Sequence, residues 1–175
     1  RDVGAWYHFV ISSDATLSSR ETKIYVNGVE ETSFATTNEY SQNQANLWNS
    51  GIANHIGASD SSSRFWDGYL AEFVFIDGQV LDPTSFGKFD SDSSNIWKPI
   101  DVSGLTFGNN GFYLDFKDSG TLGNDANGGT DWTASNLTAE SQTTDTCTNN
   151  FAVINPLDNY FASATLSEGN TKVVT

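Results

Sequence analysis

A chain of 175 residues with 37% hydrophobic and 13% aromatic residues has enough apolar material for one ordinary domain, and its single cysteine, Cys147, excludes an intrachain disulfide framework. Eight Lys and Arg stand against 22 Asp and Glu, a formal charge of −14, so the basic surface that nucleic-acid binding requires is missing. No apolar run approaches the roughly 18 residues of a membrane helix, and the opening Arg1-Asp2 does not read as a signal peptide. The chain has no methionine, which leads us to expect a processed product or a piece of a longer polypeptide.

From the N-terminus to about Gly87 the text reads as strands joined by polar loops. The run from Trp6 to Ser12 carries apolar residues on both faces, the pattern of a strand covered on two sides. Ile24 and Val26 alternate with Lys23 and Tyr25 before Asn27-Gly28, the dipeptide that a two-residue type I′ hairpin turn demands because both central residues take positive φ. A polar stretch from Thr36 to Ser50 follows and contains Tyr40 and Trp48. A short strand is expected over 52–58. The strongest β segment runs from Phe65 to Ile76 and ends at the turn Asp77-Gly78. Leu81 to Gly87 reads as a single helical turn, with Asp82 at its N-cap and Pro83 at its first position. Residues 88–175 have another texture: short apolar pieces, Ile96 to Pro99 and Gly111 to Phe116, set in Gly, Asn, Asp and Thr without helical periodicity.

The phrases Trp6-x-His8, Tyr25-Val-Asn-Gly28 and Ile56-Gly57, in that order, resemble the second half of a laminin-G-like, concanavalin A-like jelly roll. The resemblance implies an all-β fold: an antiparallel β-sandwich over residues 1–87, followed over 88–175 by an extended, mostly irregular connector. It also implies that strands are missing, since such a jelly roll supplies about half of them before the Trp-x-His segment. Those strands are expected from a preceding part of the polypeptide, a cleaved partner or a neighbouring subunit, because half a sandwich leaves a sheet face and an edge exposed. The passages Gly111 to Phe116, Asn124-Asp125, Asp131-Trp-Thr133, Asn136-Leu-Thr138, Thr148 to Phe151 and Asn155-Pro-Leu157 resemble connectors in virion proteins of marine bacteriophages, which often precede a sandwich of the SPRY type. Cys147 stands where that resemblance would have proline.

Catalysis finds little support. His8 and His55 each lie within an apolar phrase, which points to structural roles. Glycoside hydrolysis needs paired carboxylates facing one cleft, yet Glu72 has no acidic neighbour two or four residues away. Glu30 and Glu31 are adjacent and therefore point to opposite faces of a strand. Neither a Gly-x-Ser-x-Gly elbow nor a glycine-rich phosphate loop is present.

Two binding sites can be drawn from residue types. The acidic loop 118–131 offers Asp118, Asn124, Asp125, Asn127 and Asp131 as oxygen ligands for calcium, although Asx-rich turns form the same pattern without a metal by bonding their own backbone. Tyr40, Asn46, Trp48, Asn49 and Asp60 hold the aromatic ring and hydrogen-bonding side chains that a pyranose needs, although Trp48 reads more readily as a plug at one end of the sandwich. Asn136-Leu-Thr138 is a glycosylation sequon, meaningful only in a eukaryotic secretory setting.

The expectation is thus a non-enzymatic structural and adhesion module of a bacteriophage tail, fibre or capsid-surface protein. It would sit on the virion surface, join other virion subunits as an oligomer, and present a surface to host glycans without nucleic acid or membrane insertion. The alternative is a carbohydrate-binding module of a secreted or cell-surface bacterial protein. In a further version, residues 88–175 wrap a neighbour and are sparsely self-contacting.

Overall fold

The computed structural model describes residues 5–18, 22–37, 41–44, 51–60, 63–93, 95–143 and 146, together with the backbone of 165–167 and 172–174. Among these residues the protein is almost wholly β and irregular, and every strand pairing is antiparallel, as the sequence led us to expect. No helix among them is long and apolar enough to cross a membrane.

The first sheet joins β1 (Phe9–Ser13), β2 (Thr22–Val26) and β3 (Val29–Glu31) in that order. The hairpin between β2 and β3 is the predicted two-residue turn: Asn27 and Gly28 take φ of 51° and 77°, and Val26 sits opposite Val29. The Asn27 side chain accepts the His8 amide at 2.8 Å, which ties the turn to the chain entering β1. Register places Phe9, Val26 and Val29, and next to them Ile11 and Ile24, on one face. That face is open, with Phe9, Ile11 and Val29 exposed at 53%, 68% and 61%, while Val10 on the other face is buried. The expectation of a β1 covered on both sides therefore fails on one side.

Two expected strands are absent or shortened. Residues 52–58 form bends, and of the run 65–76 only β4 (Phe73–Phe75) is a strand. Arg64 and Glu72 take positive φ of 54° and 56°, which breaks the extended path at both ends of the aromatic phrase. Phe65, Trp66, Tyr69 and Leu70 lie exposed. The Trp66 amide donates to Gly57 O at 2.7 Å, but strand propensity without a continuous ladder does not make a strand.

Downstream, the predicted turn is a short 3₁₀ turn at Pro83–Ser85 with Asp82 as N-cap and Pro at the start, although the Asp82 side chain makes no cap bond. β5 (Gly87–Phe89) pairs with β6 (Trp97–Pro99), and β4 pairs with β7 (Phe112–Leu114). A second 3₁₀ turn spans Ala139–Ser141, and β8 (Thr165–Ser167) pairs with β9 (Lys172–Val174).

The line drawn at residue 87 is not a break in packing. β4 finds its partner β7 on the far side of it, and the indole N–H of Trp97 in β6 donates to His8 Nδ1 at 3.0 Å. A side chain at Gly28 would run into the Trp97 ring, so the first hairpin and β6 meet as backbone against indole. Nor are residues 95–143 sparsely self-contacting. Val102, Phe107 and Tyr113 form the buried cluster, with Val74, Ile76, Phe86 and Leu105 packed around it. The sequence of this region looks like loop because its buried residues, Val102, Phe107, the short run Phe112 to Leu114 and Leu122, are scattered among Gly, Asn and Asp, leaving no period to detect.

Candidate functional site

The β4–β7 ribbon has two unlike faces because side chains alternate along each strand. Val74 and Tyr113, paired in register, point to the buried cluster. Phe73, Phe75 and Phe112 point the other way. There the Phe112 ring lies parallel to Phe73 at 5.9 Å, tilted to Phe75 at 5.6 Å and tilted to Trp132 at 4.8 Å. Such spacings lie within the range of favourable aromatic pairs.

A cleft of about 300 Å³ opens on this aromatic face. Phe75, Phe112 and Trp132 form its apolar part, the turn 109–111 one wall, and Asp125, Gly129 and Thr130 the other, with Asn54 reaching in from the earlier bend. Its floor is buried at Phe112 and Asp125, and its rim is exposed at Asn109, Asn110 and Thr130.

Both walls are held by carboxylates turned to backbone amides. Asp77 Oδ2 accepts the amide of Asn110 at 3.2 Å and its side-chain Nδ2–H at 3.0 Å, while the Asp77 amide donates to Phe107 O at 2.8 Å. On the other wall Asp125, only 4% exposed, is the single buried charged side chain among the described residues. Its Oδ1 accepts the amides of Tyr113 at 2.9 Å and Asn127 at 3.0 Å, and its Oδ2 accepts that of Gly129 at 3.1 Å. Gly129 is needed, because any Cβ there would collide with the Asp125 carboxylate. The Ala126 amide donates to Tyr113 O at 2.8 Å. Loop 125–127 thus bonds the outer edge of β7 where a further strand would otherwise pair.

On the opposite face the Tyr113 hydroxyl donates to Glu72 Oε2 at 2.7 Å. Burial pushes the Tyr113 phenol well above its ordinary value, and the Glu72 carboxylate adds to the effect. The bond gives Glu72 a structural partner and fixes the residue whose positive φ starts β4.

The expected calcium ligands fall around this loop, and the carboxylates of Asp118, Asp125 and Asp131 face its own backbone. Asp118 Oδ1 accepts the Gly120 amide at 2.9 Å, Asp131 Oδ1 accepts the Asp125 amide at 3.0 Å, and Asp125 is engaged as described. Asn124 donates its amide to Thr121 O at 2.9 Å and Asn127 its amide to Asp125. Among the described residues no group of three or more His, Cys, Asp or Glu side chains could hold a metal ion. At Asp118 and Asp125 the side chain bonds an amide two residues on, the self-bonded Asx turn that the same composition also makes.

Of the expected sugar-binding set, Tyr40, Asn46, Trp48 and Asn49 lie outside the described residues. Asp60 is exposed, and its Oδ2 accepts the hydroxyls of Ser59 at 3.2 Å and Ser63 at 2.6 Å, away from the cleft. Sequence reasoning did not single out Asn54, Asn109, Phe112 or Trp132. The available signal was Trp132 itself, a large aromatic inside a Gly- and Asp-rich loop, where burial alone gives it little reason to be. His8 was read as structural, and its hydrogen bonds to Asn27 and Trp97 place it in the joint between the two halves of the chain.

The architecture is thus an antiparallel β fold carrying an aromatic cleft on a two-stranded ribbon. In sequence, residues 1–84 match the laminin G type family described as the concanavalin A-like lectin/glucanases superfamily. No curated protein and no solved structure matches the chain. The cleft is built mainly from residues 109–132, beyond the matched segment.

Proposed function

We propose that the chain is a non-enzymatic glycan-binding adhesion module, working as one part of a larger surface protein or assembly. The observation that carries this reading is the cleft, where the aromatic rings of Phe112 and Trp132 lie beside the side chains of Asn54, Asn109 and Thr130. A pyranose has an apolar face that stacks on a ring and an equatorial belt of hydroxyls that seek such polar groups. The indole N–H of Trp132 and the Asn109 side chain make no hydrogen bond among the described residues, so both are available to a ligand. The match of residues 1–84 to a lectin and glucanase superfamily adds support. Among the described residues a single carboxylate lines the cleft, Asp125, whose oxygens already hold three amides, whereas sugar hydrolysis takes a pair roughly 5–10 Å apart. That favours binding over hydrolysis.

In its finer form the proposal places the module on a bacteriophage virion, in a tail, fibre or capsid-surface protein that joins other virion subunits and touches the host surface. The phrases between Gly111 and Leu157 support that placement. The same cleft would serve a secreted or cell-surface bacterial carbohydrate-binding module equally well. The open apolar face of the first sheet fits either setting, as a surface that a neighbouring segment or subunit covers.

The test is binding of labelled protein to bacterial cells and purified surface polysaccharides, beside Trp132→Ala and Trp48→Ala. Saturable binding that Trp132→Ala removes and Trp48→Ala leaves is the expected result. Binding lost only in Trp48→Ala would move the site to the polar stretch 36–50, and a folded wild type that binds no glycan would overturn the proposal.

A further inference from the structure

The chemistry of the cleft also says which sugars it takes, an inference that rests on the glycan-binding reading above. We infer that the cleft accepts a single uncharged pyranose and rejects acidic sugars. Size sets the first part. At about 300 Å³ the cleft stands at the lower end of small-molecule pockets, roughly 300–1,000 Å³, which suits one ring rather than an extended chain. Among the described residues lining it there is one indole, the half-buried Trp132, which offers one stacking platform tilted against Phe112.

Charge sets the second part. Among the described residues no Lys, Arg or His lines the cleft, and the one ionisable side chain lining it is Asp125. That carboxylate is buried at the floor, where water screens it poorly, and three amide bonds hold it in place. Asp77 stands behind Asn110 and Asp131 beside Asp125, so both walls add negative charge. A carboxylate or sulfate on the sugar would enter this field with no cation to receive it. A neutral ring meets only hydrogen-bonding groups: the amides of Asn54 and Asn109, the Thr130 hydroxyl and the Trp132 N–H. Asp125 Oδ2, which accepts one amide from the protein, keeps capacity for a sugar hydroxyl. The polar groups thus favour hydroxyls and the electrostatics disfavour anions, from independent observations.

Matched ligands separate these ideas. Methyl glucoside, galactoside and mannoside differ from the corresponding methyl uronosides only in the carboxylate at C6, and titration calorimetry on the full chain compares each pair. At least one neutral glycoside should bind, with its uronoside about tenfold weaker or worse at low salt and the gap narrowing as salt rises. Trp132→Ala should weaken the neutral sugar about tenfold. Thr130→Lys, which puts a cation on the exposed rim, should bring the uronoside close to its neutral partner. Equal or tighter uronoside binding in the wild type would overturn the charge inference while leaving the glycan-binding reading intact. If no monosaccharide glycoside binds but a longer neutral oligosaccharide does, the single-ring inference fails alone. Binding of none of them would overturn both.

Discussion

The two stretches of this chain on either side of residue 87 contrast in a way that their sequences invert. Residues 5–84 hold the strand-like aromatic phrases and the family match, yet Phe9, Ile11, Val29, Phe65 and Trp66 stand exposed. Residues 95–143 read as loop, yet they hold Val102, Phe107, Phe112, Tyr113, Leu114 and Leu122, nearly all of the buried apolar residues described. Propensity to form strands and actual burial are therefore different quantities. The first belongs to a local phrase; the second depends on what arrives from elsewhere to cover it.

The contrast is broken or sharpened most strongly by a pair of substitutions. Phe107→Ala removes a ring that is 3% exposed within the central cluster and should cost about 4 kcal/mol in urea unfolding. Ile11→Ser acts on a side chain 68% exposed and should change stability by no more than about 0.5 kcal/mol. If the two cost the same, the open face of the first sheet is covered in solution, and the difference between the regions disappears.

Asp125→Ala comes next, at about 3 kcal/mol. It leaves the amides of Tyr113, Asn127 and Gly129 without their acceptor, and the Tyr113 amide lies in a buried strand. Asp118→Ala, whose side chain holds one exposed amide, should cost less than about 1 kcal/mol. A similar loss for the two would mean that Asp125 is not the bracket of this loop. The pair also compares two kinds of irregular chain, one that organises a core and one that merely turns.

These pairs bear on what could be read from residues alone. The Asn27-Gly28 hairpin and the Asp82-Pro83 turn were legible because each depends on two adjacent residues and their allowed φ. The antiparallel β class was legible from the alternating phrases. The extent of the strands was not, since Phe65 to Leu70 had the right residues and yet form no strand. The cleft was not legible either. It needs Asn54, Asn109 and Trp132 to meet across 78 positions of sequence, and only the β4–β7 pairing and the Asp77 and Asp125 brackets bring them together. Composition could say that loop 118–131 is rich in oxygen ligands, but not whether they turn outward to a cation or inward to amides.

The joint between the regions predicts a pH effect of smaller size. His8 Nδ1 accepts the Trp97 indole N–H, so the imidazole is neutral in the folded protein, and burial holds its pKa below the ordinary value near 6.5. A depressed histidine pKa means that the unfolded chain takes up the proton first. The contribution of this joint is therefore full above about pH 6.5 and is lost as pH falls from there through the folded pKa. The loss should amount to roughly one hydrogen bond, about 1 kcal/mol. Unfolding curves between pH 7.5 and 5 should show it as a slope, set against that of the carboxylates by repeating them on His8→Asn, which keeps an acceptor and cannot take the proton. An identical slope in both proteins would remove His8 from the account.

The smallest expected effect concerns calcium. A loop whose carboxylates already hold its own amides has its folded form specified without a cation, and an ion at Asp125 would compete with three amides for the same two oxygens. Added calcium or a chelator should therefore leave the melting temperature unchanged within about 1 °C, while Asp125→Ala lowers it clearly. The opposite result, a rise of several degrees with calcium that Asp131→Ala abolishes, would mean that the acidic side chains turn outward when the ion is present. The wall of the cleft would then be set by a metal rather than by the chain, and sugar binding should follow the calcium concentration.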